Sequence, residues 1–390
     1  MTHHENYYNQ PHPAVEVLLK NGFDGLAEAL KLLFDEVMKI ERSQALQAHP
    51  FERTEDRQGY ANGFKHKTIT TRVGKIELDV PQVRGGVPFY PSCLEKGLKS
   101  ERALNMAIAE MYIQGVSTRK VERVIQQLCG AEVSREKVSQ LAQQLDEELE
   151  KWRKRPLGHI RYIVLDARYE NVRVDSLVRD CALLVAYGVR EDGHRSVLGV
   201  SVALSEAEVH WRTFLRSLKE RGLHGVEMIT SDDHAGLGAA LKTEFSGVKW
   251  QRCQFHLQQN ASGYVPKKDM RKDVAADIRS IFGAPSLEEA ERLLAINVTK
   301  YKTRASQLSA WMESNLPEGF SVFSLPEAHR KKLRTSNLAE RQNQELKRRT
   351  RVIEIFPNMD SLLRIASAIL KEQSENWEAG RVYLKTEDAE

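Results

Sequence analysis

The sequence lacks a long apolar run. The longest clear one, Cys181 to Val189, has nine residues, whereas a helix that crosses a bilayer needs about 20. The first residues, MTHHENYYNQPHP, contain neither the basic segment nor the apolar stretch of a secretory signal peptide. We therefore expect a cytoplasmic protein with no membrane partner.

Cysteine is scarce, and its spacing excludes two kinds of architecture. The four cysteines are Cys93, Cys129, Cys181 and Cys253, and no two of them form a C-x-x-C pair. A disulfide framework and a zinc site built from four cysteines are therefore not expected. Reduced thiols in a cytosol fit this pattern best.

The chain has little excess charge, since its net charge is only +4. This value is a weak indication of a polyanionic partner, but the distribution says more. Nine Lys or Arg residues stand against two Glu residues from Arg330 to Arg351, a local balance of 9 − 2 = +7. Such a run is usually a solvated face or tail. Here the run surrounds Glu340, whose possible role is considered below, and the excess of positive charge favours contact with phosphate.

The first third of the chain combines helical and extended patterns. After a polar start, Val15 to Gln47 is predicted to be helical, because apolar residues recur at three- and four-residue steps; these are Leu26, Leu30, Leu33, Val37 and Ile40. The segment RQGYANGFKHK is basic and aromatic. The alternating TRVGKIELDVPQVR that follows predicts a short hairpin or strand.

Residues 101–149 resemble three helices with helix-turn-helix character. Ser117 and Ser134 stand where N-caps belong, and Gly130 breaks the apolar pattern between them. If this region binds DNA, the helix after Ser134 enters the major groove and Arg135 and Lys137 face the DNA. A plain helical hairpin explains the same pattern.

A basic segment ending in Pro and Gly, KWRKRPLG at 151–158, predicts a domain boundary. We expect an N-terminal DNA-binding region at 1–150 and a second, α/β domain at 158–390. The second domain begins with three consecutive predicted strands, RYIVLDARYENVRVD, CALLVAYGV and RSVLGVSVAL. A helix, the strand VEMITSD, another helix and the strand KWQRCQF follow, and residues 257–330 are predicted to be a helical insertion.

This order of elements is that of a ribonuclease-H-like domain. In that fold the first and fourth strands are neighbours, so Asp166 and Asp232 would converge although they are 232 − 166 = 66 residues apart. Alone, each Asp is as well explained by a structural role, and Glu340 by an exposed helix surface. Together they suit phosphodiester cleavage, which two Mg²⁺ ions about 3.5–4 Å apart support and for which carboxylates are the preferred ligands.

At these residues the sequence resembles the Mutator-type transposases of bacterial insertion sequences. The matching stretches are MYIQGVSTRKVERVI, YIVLDARYENVRV, MITSDDHAGLGAAL, WQRCQFHLQQN and RTSNLAERQNQELKRRTRVIEIFPN. They follow the family's order, and a carboxylate stands in each of three. The resemblance covers the chain from about Arg57 to Trp377.

The resemblance implies a DDE-type transposase that cleaves and joins DNA strands. It assigns catalysis and metal binding to Asp166, Asp232 and Glu340, with two Mg²⁺ ions and Mn²⁺ as a substitute. The family's C-x-x-H motif falls on Cys253 and His256, for which it favours a structural role over a zinc site. The expected partners are double-stranded DNA, namely the terminal inverted repeats and the target, and a second copy of the chain on that DNA, at the bacterial nucleoid.

The helix after Thr335 carries a further hypothesis. Glu340 and Lys347 are seven residues apart, about two helical turns, so they share one face with Arg341 beside it. We expect Lys347 to reach a phosphate while Glu340 holds a metal, and Arg348, Arg349 and Arg351 to extend that contact. A solvated basic helix end, stabilised by the helix dipole, is the alternative.

Two other functions remain open from the residues. A non-catalytic DNA-binding regulator would need only the helix-turn-helix, and the three intact acids argue against it. A structure-specific nuclease would share the catalytic fold, but the upstream DNA-binding region and the resemblance favour transposition.

Overall fold

The computed structural model describes residues 11–97 and 99–385. The chain divides into two units, Met1–Gln144 and Leu145–Glu390, and each is described by itself. Within the described ranges, none of the helices is both long enough and apolar enough to span a membrane.

The first unit contains two packed helices, a hairpin and a group of three helices. Its elements are α1 (Pro13–Asn21), α2 (Leu26–Leu46), β1 (Tyr60–Thr71), β2 (Gly74–Arg84), α3 (Arg102–Ile113), α4 (Thr118–Cys129) and α5 (Arg135–Gln143). The alternating segment forms the single strand β2, and its hairpin partner β1 comes from the basic and aromatic segment before it. The single helix predicted from Val15 is interrupted at Gly22–Gly25, where the chain forms a 3-10 turn.

Helix α2 buries a different side from the one predicted. Leu33, Val37 and Ile40 are exposed, so the predicted apolar stripe faces largely outward. The core side of the helix instead carries Met38, which packs with Ile76 and other residues of β2. The helix has two apolar stripes, and periodicity alone did not indicate which of them the hairpin covers.

Helices α4 and α5 begin at the predicted caps Ser117 and Ser134, and α4 ends at Gly130 as predicted, whereas α5 already ends at Gln143. Ser117 accepts a hydrogen bond from the Lys120 amide, and Ser134 from the Lys137 amide. Gly130 adopts φ = 63° after α4, a left-handed conformation that glycine tolerates best. Both serines are therefore N-caps that satisfy otherwise unpaired amide groups.

The second unit is a mixed α/β structure. Its elements are α6 (Asp146–Arg153), β3 (Ile160–Val174), β4 (Leu177–Arg190), β5 (Arg195–Ala203), α7 (Glu208–Glu220), β6 (Met228–Ser231), α8 (Ala235–Glu244), β7 (Lys249–Arg252), α9 (Gln254–Ala261), α10 (Arg271–Phe282), α11 (Leu287–Tyr301), α12 (Ser306–Asn315), α13 (Glu327–Leu333), α14 (Asn337–Thr350) and α15 (Met359–Glu378). All five predicted strands are present.

The five strands form one sheet in the order β5-β4-β3-β6-β7. Strands β3, β4 and β5 are antiparallel neighbours, whereas β6 pairs in parallel with both β3 and β7. The first and fourth strands are therefore neighbours, as predicted. Two cores follow from the alternation of side chains along each strand.

One face of the sheet packs against α7 and α8. On this face Ile163 and Leu165 of β3 join Trp211 of α7 in one core. The other core combines Tyr162 of β3 and Met228 of β6 with the helices between β7 and α14. Asp166, two and four residues after Val164 and Tyr162, points to this second face by the same alternation.

Helix α6 is attached to the second unit. Arg364 of α15 donates to both oxygens of Asp146, at 2.6 and 2.8 Å, and Arg153 donates to Ser367 at 3.0 Å. The second unit accordingly begins at Leu145, upstream of the segment 151–158 where the sequence predicted the boundary. Charge composition does not reveal this contact, because its partners are 218 positions apart.

Candidate active site

Asp166 and Asp232 are brought together by the parallel pairing of β3 and β6. Val164 is opposite Thr230 in the register of these strands, and each acid follows its strand residue by two positions. The carboxylates therefore stand at adjacent positions on the same edge. The carboxyl end of parallel strands is where α/β sheets usually bind ligands.

The environment of Asp166 disfavours an isolated negative charge. Burial raises the pKa of Asp166 to about 7, and the negative charge of Asp232 adds to the rise. The Ala167 amide, His256 and Asn343 oppose it. Two neighbouring carboxylates in such a place are stabilised by a bound cation, and their hard oxygens are the donors that Mg²⁺ prefers.

His256 lies between two of the predicted acids. Its Nδ1 is 2.9 Å from Asp232 Oδ1, and its Nε2 is 3.9 Å from Glu340 Oε1. The Nδ1 contact lies outside hydrogen-bond geometry, so we treat it as an ion pair. Contact with Asp232 first, and with Cys253 second, raises the pKa of His256 to about 10. A protonated imidazole at this position holds the two carboxylates near each other.

Asp232 and its neighbour Asp233 have different partners. Asp233 Oδ2 forms an ion pair with the buried Arg252, at 2.9 Å, whereas Asp232 faces His256. Asp232 alone of this pair is directed toward the other acids.

Helix α14 brings Glu340 to the sheet, and Asn343 fixes the helix there. Asn343 Nδ2 donates to Asp166 Oδ2 at 2.5 Å. Arg168 of β3 donates in turn to the Asn343 carbonyl at 3.0 Å. Because Glu340 is three residues before Asn343, both side chains lie on one face of the helix. The contact of Asn343 with Asp166 therefore places Glu340 at the same site.

The start of α14 is held by Cys253, the N-cap residue of α9. The Ser336 amide and hydroxyl each donate to Cys253 Sγ at 3.3 Å. Ser336 occupies the N-cap position of α14, but its side chain makes no capping hydrogen bond; it contacts Cys253 and, at 3.4 Å, Glu340. The motif of Cys253 and His256 thus connects β7 and α9 to the third acid.

Two donor sets meet at Glu340. The oxygen set is Asp166, Asp232 and Glu340; its carboxylates are donors that a hard divalent cation prefers, but among the described residues their ligand atoms do not all lie within 4.8 Å of one another. Cys253, His256 and Glu340 do have ligand atoms within 4.8 Å of one another. Cys253 Sγ already accepts two hydrogen bonds from Ser336, which gives it a structural role without a metal.

The predicted DNA-contact residues fall into three groups. Arg135 and Lys137 are exposed in the first turn of α5, and Arg341, Lys347 and Arg351 are exposed on or just after α14. Arg348 is exposed but forms an ion pair with Glu345 at 2.7 Å. Its neighbour Arg349 differs from all of these.

Arg349 is a structural residue in this arrangement. Its side chain is buried, and it donates to Glu345 at 2.7 Å and to Glu372 of α15 at 2.7 Å. The prediction that Arg349 extends a phosphate contact is therefore corrected by the structure. A count of charges along the helix did not reveal that this guanidinium faces α15.

Comparison with known proteins identifies the family of the chain. Residues 4–380 match the description "Transposase, Mutator family". The chain belongs to the Mutator family of transposases. It is 54% identical over 373 residues to the transposase for insertion sequence element IS406 of Burkholderia multivorans, covering 95% of this chain and 96% of that protein.

Two further relatives extend the comparison within the Mutator transposases. The transposase for element ISRM5 of Rhizobium meliloti is 41% identical over 376 residues, with 96% of this chain and 94% of that protein covered. The transposase for element IS256 in transposon Tn4001 of Staphylococcus aureus is 36% identical over 352 residues, covering 89% and 90%. The similarity therefore extends over both units.

The residues that support the three acids were not predicted from the sequence. Asn343, Ser336 and Arg168 each contact a candidate catalytic residue or the helix that carries one. One signal was present for Asn343, since its three-residue spacing from Glu340 places an amide beside the acid on the same helix face. Arg168 had no comparable signal, because its partner is 175 positions away.

Proposed function

We propose that this chain is a DDE-type DNA transposase that binds the terminal inverted repeats of its element and performs metal-dependent strand cleavage and strand transfer. The observation that carries the proposal is the convergence of the three acids. Asp166 lies within β3 and Asp232 directly follows β6, each two residues beyond the paired positions Val164 and Thr230. Helix α14 adds Glu340 through the contacts of Asn343 and His256.

The topology of the second unit supports a ribonuclease-H-like catalytic domain. Its antiparallel β5-β4-β3 portion is extended by the parallel strands β6 and β7. A largely helical segment from α9 to α13 separates β7 from the helix with the third acid, as expected for a helical insertion. We propose accordingly that the catalytic domain includes the segments on both sides of this insertion.

Asp166, Asp232 and Glu340 are the residues that would hold two Mg²⁺ ions, or Mn²⁺ in their place. When bound, such ions activate the attacking oxygen and stabilise the leaving oxygen of a phosphodiester. The chain's own groups set the geometry for this chemistry. Asn343 orients Asp166, and His256 holds Asp232 near Glu340.

DNA contact would come from exposed cations in both units. In the first unit, Ser134 caps α5, and Arg135 and Lys137 project from its first turn. We propose that α3, α4 and α5 form a helix-turn-helix region with α5 as the recognition helix. In the second unit, Lys347 and Arg341 lie on the helix of Glu340, within reach of a phosphate next to the cleaved bond.

The test is to neutralise each acid and to measure binding and cleavage separately. Asp166→Asn, Asp232→Asn and Glu340→Gln should each abolish cleavage of a terminal-repeat duplex and spare binding to it, because metal ligation needs anionic oxygen while phosphate contacts come from Lys and Arg. The stabilisation of the protein by Mg²⁺ or Mn²⁺ in thermal melting should also fall.

Asp233→Asn is the matched control, because this neighbouring carboxylate contacts Arg252 rather than the other acids. It should retain cleavage. Near wild-type cleavage by any of the three acid variants would remove that residue from the site. A strand-joining assay separates the other functions: cleavage without joining indicates a nuclease, and binding without either reaction indicates a regulator.

A further inference from the structure

The first unit has a basic and aromatic surface formed by elements other than α5. It consists of one end of the β1 strand, the segment that leads into it, and the facing side of α2. We call it the ribbon rim, and its residues are Lys39, Arg42, Arg57, Tyr60, Phe64 and Lys65.

The aromatic rings of the ribbon rim are exposed and carry cations. Phe64 is 46% exposed, with the Arg42 guanidinium 5.3 Å and the Lys39 ammonium 5.9 Å from its ring centroid. Tyr60 is 58% exposed, with Arg57 5.0 Å from its ring. Exposed cation–π pairs contribute little to the stability of a protein. A gain in stability therefore does not explain why the rings of Tyr60 and Phe64 are both exposed.

The four cations of the ribbon rim are not neutralised by acids. Over residues 11–97 and 99–385, no ion pair involves Lys39, Arg42, Arg57 or Lys65. Other cations of the same unit do have acidic partners, such as Lys31 with Asp35 and Arg72 with Glu101. The segment from Arg57 to Lys67 also contains no Asp or Glu. The unpaired charge is thus concentrated beside the exposed rings.

A bulge shapes this end of the strand. The register of β1 with β2 shifts between Ala61 and Phe64, and Gly63 within the shift adopts φ = 71°. A bulge with glycine in the left-handed conformation increases the local twist of a strand pair and redirects the side chains beside it. Phe64 and Lys65 follow directly after it.

We propose that the ribbon rim binds duplex DNA along its sugar–phosphate backbone, as a second DNA contact of the first unit. Two-stranded ribbons fit the grooves of DNA. The four cations would contact phosphates, and the rings of Tyr60 and Phe64 would pack against the adjacent sugars. The inference rests on the proposed function in taking DNA as the ligand, but it assigns no sequence preference to these residues.

The experiment measures how the binding of the full chain depends on salt. Fluorescence anisotropy would follow two labelled duplexes of equal length, one with the terminal repeat and one of random sequence, from 50 to 200 mM salt. The slope of log K against log salt is negative, and each phosphate contact adds about 0.9 to its magnitude. Arg42→Gln/Lys65→Gln should therefore reduce this magnitude by about 2 on both duplexes. If variant and wild type bind equally at 1 M salt, the variant should bind roughly 60-fold more weakly than the wild type at 0.1 M salt.

Lys20→Gln/Lys75→Gln is the matched control, because it removes the same charge at the opposite end of α2. Lys20 lies at the end of α1, shortly before α2 begins, and Lys75 follows Gly74 at the start of β2. A Cβ added at Gly74 would be 4.0 Å from the side chain of Ala27, in the first turn of α2. From Ala27 to Arg42 the helix extends about 22 Å at 1.5 Å per residue. The control should keep the wild-type slope. Melting temperatures of both variants should match that of the wild type.

Two single variants keep the proposal testable if the double variant folds poorly. Lys39→Gln should reduce the magnitude of the slope by about 1, and Phe64→Leu, which keeps an apolar side chain without the ring, should weaken binding about fivefold at constant slope. An unchanged slope in the well-folded rim variants would overturn the proposal. An equal loss in the control would also overturn it, because it would show a general effect of charge.

Failure of the proposed function would look different. A wild-type protein that binds both duplexes equally, with the slope still reduced in the rim variants, would retain the ribbon rim and reject terminal-repeat recognition. A wild-type protein that binds neither duplex would reject both. Binding to an acidic peptide but to neither duplex would assign the ribbon rim to a protein partner and overturn the DNA proposal.

Discussion

Arg349 and Lys347, two residues apart on α14, should respond to substitution in opposite ways. Arg349→Ala removes a guanidinium that ties α14 to α15 through Glu345 and Glu372. Lys347→Ala removes an exposed ammonium on the face of Glu340. We expect the first change to lower stability and the second to lower the rate of cleavage.

The size of the stability loss follows from the contacts of Arg349. Its guanidinium makes two hydrogen bonds of 2.7 Å and one of 3.4 Å to carboxylates. A buried charge-assisted hydrogen bond contributes about 1.5–3 kcal/mol. Glu345 and Glu372 have side chains 29% and 43% exposed, so water can partly solvate them after the change. We expect a loss of about 2 kcal/mol, which lowers the melting temperature of a unit of this size by about 4–8 °C.

For Lys347→Ala the expected effects are reversed. An exposed Lys→Ala change on a helix usually alters stability by less than about 0.5 kcal/mol. Loss of a phosphate contact should slow cleavage about tenfold, equivalent to about 1.4 kcal/mol in the barrier. Lys331→Ala is the control, since it removes an exposed positive charge from the same basic stretch but lies on α13.

Two measurements on each variant decide between these effects. Thermal melting by circular dichroism reports stability, and single-turnover cleavage of a pre-formed complex with terminal-repeat DNA reports activity. An Arg349→Ala protein that melts with the wild type would refute the structural role of this residue. A Lys347→Ala protein that cleaves as fast as Lys331→Ala would return Lys347 to a solvated helix face.

Three other predictions concern Asn343, Glu345 and the first unit. Asn343→Ala should slow cleavage more than tenfold and raise the Mg²⁺ concentration needed for thermal stabilisation, because Asp166 loses its 2.5 Å donor; unchanged metal dependence would contradict the positioning role. Arg348 and Arg349 lower the pKa of Glu345 to about 2, so this group stabilises the fold above its unfolded pKa of about 4.3 and loses the effect as pH falls toward 2. Glu345→Gln should therefore melt below the wild type at pH 6 and together with it near pH 2, and a constant difference would refute the ion pair. A fragment of Met1–Gln144 should bind terminal-repeat DNA in preference to random DNA, and a folded fragment without this preference would count against the helix-turn-helix assignment.

Strand positions were predictable from the sequence because the central strands are strongly apolar. CALLVAYGV and RSVLGVSVAL match β4 and β5 closely, since continuous burial leaves little room for another pattern. The end of β7 was less predictable. The predicted strand KWQRCQF stops at Arg252, and Cys253 is the N-cap of α9, which carries His256.

Burial on a helix with two apolar sides was not predictable from periodicity. The stripe of Leu33, Val37 and Ile40 satisfies the helical spacing, yet the hairpin packs on the side of Met38. On α4, Val121 and Ile125 are buried, but Leu128, at the next helical step, is exposed and Cys129 is buried in its place. The position of the packing partner decided both cases.

For the candidate site, the sequence predicted the three acids but not the residues that contact them. Chain order and the resemblance indicated Asp166, Asp232 and Glu340, and the strand register brings the first two to neighbouring positions. The partners of long-range hydrogen bonds had no local signal, as Asn343 and Asp166 are 177 positions apart. The pairing of Arg349 was missed for the same reason, since Glu372 belongs to another helix.

The order of elements along the chain has a consequence for incomplete chains. During synthesis the first unit and β3 leave the ribosome long before α14, which carries Glu340 and Asn343, the hydrogen-bond donor to Asp166. A product that ends in the helical segment before α14 therefore contains α5 and the ribbon rim but not the third acid. Such a product would occupy DNA without cutting it, and would compete with the full chain for the same ends. If α5 and the ribbon rim bind DNA as proposed, premature termination in this gene would yield an inhibitor rather than a weaker enzyme.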